Sequence, residues 1–443
     1  MKYFDDSFIF GAATASYQIE GAHDADGRTP SIWDTFSHTP GKVSNGDTGD
    51  VACDHYNRYR EDVRIMKELG IQFYRFSVAW PRIVPAGGTV NRKGLDFYHR
   101  LTDELLENGI TPAITVYHWD LPQWIDDTGG WLNRDTAKRF LDYSDILFRE
   151  FNDKVGFWIT HNEPYCASFT SYLHGEHAPG HTDYSEAVRA AHHILLSHGM
   201  AVERYREIDT RGGQIGITCN HSPFYPAGDT EADRAAAHIA DGHLNRWFLE
   251  PLFNGKYPED MVRHYTDNGI SLDCIQDGDL GTIAREIDFY GINYYTHGVV
   301  KHDPQAAFGI RHVDTGREKT DMGWEIVPYG IYDCLSRIRD EYTSVPLYIT
   351  ENGSAFEDTV VDGQVIDTER ETYLVEHLRE VARLNEDGVG VAGYFCWSLL
   401  DNFEWAYGYS KRFGIVRVDY DTQERIVKQS GRTYARIIRE RTV

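Results

Sequence analysis

Residues 54–77 read DHYNRYREDVRIMKELGIQFYRFS. Tyr56, Tyr59, Val63 and Met66 recur every three or four residues, the apolar stripe of one helix face over 54–69. Gly70 ends the stripe, because glycine takes the left-handed turn that closes a helix. The run Gln72-Phe73-Tyr74-Arg75-Phe76-Ser77 then reads as a strand. The same order of helix, glycine and strand repeats downstream. Leu95, Tyr98, Leu101 and Leu105 form a second stripe, closed by Gly109 and followed by the strand Ala113–Tyr117. Phe140, Tyr143, Leu147 and Phe151 form a third, followed by Phe157–Thr160. Working outward, further strands are expected at Phe8–Ala12, Ile215–Cys219, Ile287–Ile292, Leu347–Thr350 and Val391–Cys396. Alternating helices and strands make a parallel sheet. Eight such strands predict a closed barrel over an open doubly wound sheet. The expected fold class is therefore α/β, a single (β/α)8 TIM barrel spanning 1–443. Irregular stretches near 28–50, 171–183, 220–230 and 296–325 are read as extended βα loops over the C-terminal face.

Composition narrows the function classes. Acidic residues number 69 against 44 basic ones, a net charge of -25 that repels nucleic acid and anionic membrane. No apolar run is long enough for a membrane span. Met1-Lys2-Tyr3-Phe4-Asp5-Asp6 lacks the positive start of a secretory signal, so a cytoplasmic location is expected. Cys53, Cys166, Cys219, Cys274, Cys334 and Cys396 are scattered, which predicts free thiols and no zinc site. Packing is the default reading for Cys166 and Cys219, the two nearest the strand ends. Self-association is left open.

Three patterns lead elsewhere and are set aside. Gly388-Val389-Gly390-Val391-Ala392-Gly393 fits a phosphate-loop fingerprint but precedes a strand and opens no helix. The glycosylation sequons at Asn220 and Asn352 fall at strand ends. The pairs His192-His193 and His174/His177 lack zinc-protease spacing.

In a barrel the chemistry collects where the strands end. The first strand leads to Gln18 and Glu20, the second carries Arg75, and the third ends in His118-Trp119-Asp120. The fourth ends in His161-Asn162-Glu163-Pro164, the fifth in Asn220-His221, and the sixth in Asn293-Tyr294-Tyr295. The seventh ends in Glu351-Asn352-Gly353, and the eighth in Trp397 and Asp401-Asn402-Phe403-Glu404-Trp405. Glu163 and Glu351 would face each other across the mouth. Two opposed carboxyls suit glycoside cleavage: one protonates the leaving oxygen and the other meets the charge at the anomeric carbon. Arg75, Asn293 and Tyr295 are the candidates for setting the two protonation states apart. Arg75 could equally buttress the barrel interior.

Taken together, these stretches resemble glycoside hydrolase family 1, the β-glucosidase family. The matches run from Phe10–Gly21 through Arg75-Phe76-Ser77, Tyr117–Pro122, Thr160–Pro164, Asn293–Tyr295 and Ile349–Gly353 to Trp397–Trp405. The resemblance implies Glu163 as acid/base and Glu351 as nucleophile. It implies Tyr295 as the hydrogen-bond partner of Glu351, and Asn162 as the ligand of the sugar 2-hydroxyl. Gln18, His118, Glu404 and Trp405 would bind other hydroxyls of the terminal sugar, with Trp119 and Phe413 also at the substrate. Trp397 would lie under the ring, and Trp324 would wall the leaving-group site. No cofactor or metal is implied. The expected activity is retaining, exo-acting hydrolysis of β-glucosides and cello-oligosaccharides, and also of β-galactosides or β-fucosides, with the carboxyls about 5–5.5 Å apart. The branch acting on 6-phosphorylated sugars carries a serine at the place of Glu404 and a tyrosine at that of Phe413. This chain shares only Lys411 with it, so free sugars are favoured. A 6-phospho-β-glycosidase and a non-catalytic sugar-binding barrel are the competing readings.

Overall fold

The computed structural model describes residues 3–209 and 211–443. Met1 and Lys2, which open the stretch read against a secretory signal, lie outside them. Eight parallel strands close into a barrel: β1 (Ile9–Ala13), β2 (Phe73–Ser77), β3 (Thr111–Tyr117), β4 (Phe157–Asn162), β5 (Gln214–His221), β6 (Phe289–Tyr294), β7 (Leu347–Asn352) and β8 (Val391–Trp397). Each pairs with its neighbour in sequence, and β1 pairs with β8 from Ile9↔Gly393 to Ala13↔Trp397. The crossovers contain α1 (His55–Leu69), α2 (Arg92–Glu107), α3 (Asp135–Phe151), α4 (Tyr184–Ile208), α5 (Trp247–Asn254), α6 (Pro328–Glu341) and α7 (Thr368–Glu386). A last helix, α8 (Gln429–Glu440), lies over the seam. Its Tyr434 hydroxyl donates to the carbonyls of Gly11 on β1 (2.7 Å) and Tyr394 on β8 (3.2 Å). Among the described residues no helix is long and apolar enough to cross a membrane.

Phe73, Phe157, Phe289 and Phe395, one from each even-numbered strand, meet inside the barrel. Phe157 and Phe289 stack at 4.1 Å. Four side chains from alternate strands are how such a barrel fills its interior. The buried rings of Phe157, Phe289 and Phe395 each contribute roughly 1.5–3 kcal/mol, and the half-buried Phe73 less. Gly11 on β1 makes room for this layer, because a Cβ there would run into the Phe395 ring.

Above that layer the alternation of in and out breaks on two strands. On β4, Trp158, Thr160 and His161 all face the helices: Thr160 meets His198 and His161 meets Ser197, both on α4. Asn162 therefore turns inward, and the β4–β5 register shifts between Ile159 and Asn162. On β7 the register with β6 shifts between Ile349 and Glu351, and both Thr350 and Glu351 point inward. Bulges of this kind re-aim side chains beside active sites.

The strands expected at Leu347–Thr350 and Ile287–Ile292 run two residues further, so Glu351 lies within β7 and Asn293 within β6. Two of the expected loops are partly ordered as sheet. Phe224–Pro226, Gly298–His302 and Ile310–His312 form three strands beside the barrel mouth. The stretch near 28–50 holds a helix, Ile32–Ser37, with a capping box between Ser31 and Asp34. Gly388 and Gly390 both have positive φ, which suits the tight turn before β8. The Asn352 side chain is buried, bonded to the Tyr294 carbonyl and the Tyr373 hydroxyl, and offers no site for a glycan. All six cysteines are free thiols.

Candidate active site

Arg75 is fully buried and organises the centre of the mouth. Its guanidinium donates to Glu351 Oε1 (2.5 Å), the Thr350 carbonyl (3.0 Å), Asn162 Oδ1 (2.6 Å) and Thr115 Oγ1 (3.1 Å). Its contact with Glu351 is the electrostatic role, and its bonds to Thr115 and the Thr350 carbonyl tie it to the barrel wall as well. Tyr295 donates its hydroxyl to the other oxygen, Glu351 Oε2 (2.7 Å).

Glu163 follows β4 in a left-handed conformation, φ 49°, with its N–H still bonded to Thr218 on β5 (2.8 Å). Asn293 donates to Glu163 Oε1 (2.6 Å) and to Asn162 Oδ1 (3.0 Å). Thr350 fixes that amide by donating to its oxygen (2.8 Å).

The two carboxyls have unlike surroundings. Burial first, then the nearby Glu351, raises Glu163 to about 7. Glu351 is also raised by burial, but Arg75 and Tyr295 oppose the rise and favour its anion. A third carboxyl, Glu404, is pushed to about 8 by burial and by both of these glutamates.

His118 comes from the end of β3. Its Nε2 lies 3.1 Å from Asn162 Nδ2. An amide NH2 only donates, so Nε2 accepts and Nδ1 carries the hydrogen. That Nδ1 has no partner and is available to a ligand. Burial, aided by Arg75, drives His118 well below the ordinary histidine range, so the ring is neutral. Gln18 lies below the mouth, its amide nitrogen donating to Asn402 Oδ1 (3.0 Å) and the Phe403 carbonyl (2.9 Å). Its Oε1 is buried without a partner.

The cleft encloses about 340 Å³. His118, Trp119, Glu163, Asn293, Tyr295, Trp324, Glu351, Trp397, Glu404, Trp405 and Phe413 line it. Gln18, Arg75 and Asn162 border the cleft from below and reach its lining at Glu404, Glu351 and His118. Trp397 lies near-parallel to His118 (5.9 Å, 19°), and Trp324 closes with Tyr295 (5.3 Å) and Phe413 (6.3 Å) on another side. Glu20 turns away and pairs with Arg82 (3.0 Å). Sequence reading missed the roles of Cys166, Glu176, His177, Met322 and Tyr407, which also line the cleft. Cys166 is the instructive case: it is partly exposed on the wall, whereas Cys219 is buried. Its position just after Asn162-Glu163-Pro164 was the available signal. His192 and His193 are engaged elsewhere, with Tyr257, Asp279 and the Trp131 carbonyl.

No lysine or arginine is among the lining residues. Lys411 instead donates to the Asp321 carbonyl (2.6 Å) and is only partly exposed. Glu404, raised to about 8, leans towards its uncharged form at neutral pH, and the lining offers no cation to meet a phosphate.

The segment after β8 is anchored from below by a buried charge cluster. Lys428 joins Asp401 Oδ1 (2.7 Å) to Asp358, Arg412 holds Asp401 Oδ2 (2.7 Å), and Arg370 holds Asp358 (2.9 Å) and Asp367 (2.5 Å). Burial opposes ionisation of Asp401, but Lys428, Arg412 and Arg370 keep its carboxyl below the usual range. Lys428→Met would leave Asp358 and Asp401 facing each other without their shared cation. The expected loss is about 3–5 kcal/mol in denaturant unfolding. An unchanged midpoint would show that the cluster carries little.

The chain matches the family model "Glycosyl hydrolase family 1" over residues 1–443. It is 50% identical to "Beta-glucosidase A" of Acetivibrio thermocellus over 441 residues, covering 98% of each chain. It is 45% identical to the "Bifunctional beta-D-glucosidase/beta-D-fucosidase" of Bifidobacterium breve over 458 residues, again covering 98% of each. The structure of the Thermotoga maritima β-glucosidase in complex with deoxynojirimycin superposes with a TM-score of 0.97 at 50% identity, covering 100% of both chains. A barrel with buried glutamates at its mouth, matched by one family model from end to end, leads to one conclusion: the chain belongs to glycosyl hydrolase family 1.

Proposed function

We propose that this protein is a retaining β-glucosidase that removes terminal glucosyl units from cello-oligosaccharides and aryl or alkyl β-glucosides. The observation that carries the reading is the asymmetry of the glutamate pair. Burial raises both, but a guanidinium and a phenol hydrogen-bond Glu351 and favour its anion, while Glu163 is raised to about 7. Pairs whose environments separate their pKa values divide acid and base roles. In the first step Glu351 attacks the anomeric carbon as Glu163 protonates the departing oxygen. A glycosyl ester on Glu351 results. Glu163, now ionised, takes a proton from water as the water oxygen attacks the anomeric carbon and breaks its bond to Glu351, which releases the sugar and restores both groups.

The remaining residues position the sugar. The Trp397 face accepts the C–H side of the ring. His118 Nδ1–H donates to a hydroxyl, and Gln18 Oε1 and Glu404 accept from others. Trp324 and Phe413 leave an aromatic wall for the departing group. Fucosides are included on the support of the bifunctional relative, and galactosides are left to the substrate panel.

A substrate panel tests this reading. Aryl β-glucoside, β-galactoside and β-fucoside, with cellobiose and its 6-phosphate, would be compared by kcat/KM, and the first sugar released read by proton NMR. Glucoside should be turned over with β-glucose appearing first, and cellobiose should exceed its phosphate. An α first product, or preference for the phosphate, would sink it.

A further inference from the structure

A second cavity, of about 650 Å³, opens beside the cleft. It lies between the three-stranded sheet, the helices Glu231–Asp241 and Glu259–Asp267, and the start of α4. Its volume falls within the range of small-molecule sites, about 300–1,000 Å³. Rings form much of the wall: Tyr165, Tyr184, His243, His264, Tyr265 and Phe308. Phe308 meets Tyr184 edge-on (4.8 Å, 85°) and His264 at 4.8 Å. Such walls suit a flat ring.

The charge pattern is the unusual part. In a chain of net charge -25, no Asp, Glu, Lys or Arg lines this cavity. Three of its histidines are held towards the neutral form: burial takes His243 down to about 3 and also lowers His264 and His312. An ion entering would find no carboxylate, ammonium or guanidinium to pair with, and a free sugar would leave most of its hydroxyls unpaired.

One polar atom is left over. His243 Nδ1 is engaged by the hydroxyls of Tyr265 (2.7 Å) and Tyr184 (3.3 Å). His264 Nε2 is buried without a partner. A neutral imidazole offers an acceptor nitrogen, which a hydroxyl on the ligand can satisfy.

We infer that this cavity is a binding site for a neutral hydroxyarene, with its ring packed against the touching Tyr184 and Phe308 rings and its hydroxyl donating to His264 Nε2. The inference does not depend on what the cleft cleaves. Should the cleft cleave aryl glucosides, the phenols they release belong to the same chemical class. Tyr165 lines this cavity while the adjacent Cys166 lines the cleft, so the two sites share one segment.

The test uses 2-naphthol, titrated by its own fluorescence into the full-length protein, with and without saturating deoxynojirimycin. Saturable binding that the iminosugar leaves unchanged is expected. Two variants fill the cavity independently: Ala240→Phe inside and Ala307→Trp on the exposed rim. Each should weaken naphthol at least tenfold while kcat/KM for cellobiose stays within twofold. Naphthol should also bind about fivefold more tightly than naphthalene, the scale of one net hydrogen bond. His264→Phe should erase that preference. The proposal is overturned if naphthol does not saturate, if deoxynojirimycin displaces it, if neither filling variant weakens it, or if the hydroxyl preference survives His264→Phe. It is equally overturned if sedimentation reveals a dimer that Ala307→Trp dissociates, because the cavity would then be a seam between copies.

Discussion

Glu351→Gly should lower hydrolysis of an activated aryl glucoside by about 10⁴-fold or more, the scale seen when a covalent nucleophile is removed. The size follows from what Glu351 does in the proposed reaction and from what holds it. Without its carboxylate no glycosyl ester can form. Arg75 and Tyr295 lose their acceptor, yet each has or can find another: Arg75 still reaches Asn162, Thr115 and the Thr350 carbonyl. The barrel should therefore stay folded, and circular dichroism should show it. Glycine also leaves a space beside the anomeric carbon. Azide or formate should enter that space and restore turnover, giving an α-glycosyl azide in the first case. Rescue yielding only free glucose, or a variant retaining a tenth of its activity, would rule out the nucleophile role.

Glu163→Ala should be selective. General acid catalysis contributes about 10²–10⁴-fold, and the need for it grows as the leaving group becomes a stronger base. Cellobiose should lose the most, and a dinitrophenyl glucoside the least in its first step. Equal damage to both would contradict the assignment. The pH profile adds a second check. Glu163 acts while protonated, and its carboxyl is raised to about 7, so wild-type kcat/KM should fall as pH rises through about 7. That limb should vanish in Glu163→Ala. A limb that persists would belong to another group, Glu404 being the first to examine because it is raised to about 8.

The helix-glycine-strand rhythm located the barrel well because each element carries its own local signal. Tyr56, Tyr59, Val63 and Met66 do face the core from α1, and Gly70 does close that helix at φ 75°. The small sheet escaped notice for the opposite reason. Its strands are three to five residues long, too short for alternation to announce them, and Phe224–Pro226 finds its partner Gly298–Val300 more than seventy positions away. The site was legible as a set of residues but less so as geometry. Strict alternation from Phe157 would place His161 inside the barrel and Asn162 outside. The register shift after Ile159 reverses this. The tautomer of His118, the orphaned Gln18 oxygen and the charge cluster under Asp401 all depend on partners far away in sequence. Cys166 was assigned to packing on residue type alone, and only the shape of the cleft shows its partial exposure.

Trp119, Glu163 and Trp405 share a property with consequences for anyone breeding a hardier form of this enzyme. All three have positive φ, at 75°, 49° and 52°. For residues other than glycine this conformation costs roughly 1–2 kcal/mol each. Glu163 also stands close to two other buried carboxyls. These positions are expensive to keep and are the ones that shape the cleft. A library sorted only by survival after heating would enrich replacements there, and its hardiest winners would be inert. Selection has to score turnover in every round, or heat resistance will be gained by erasing the reason the protein exists.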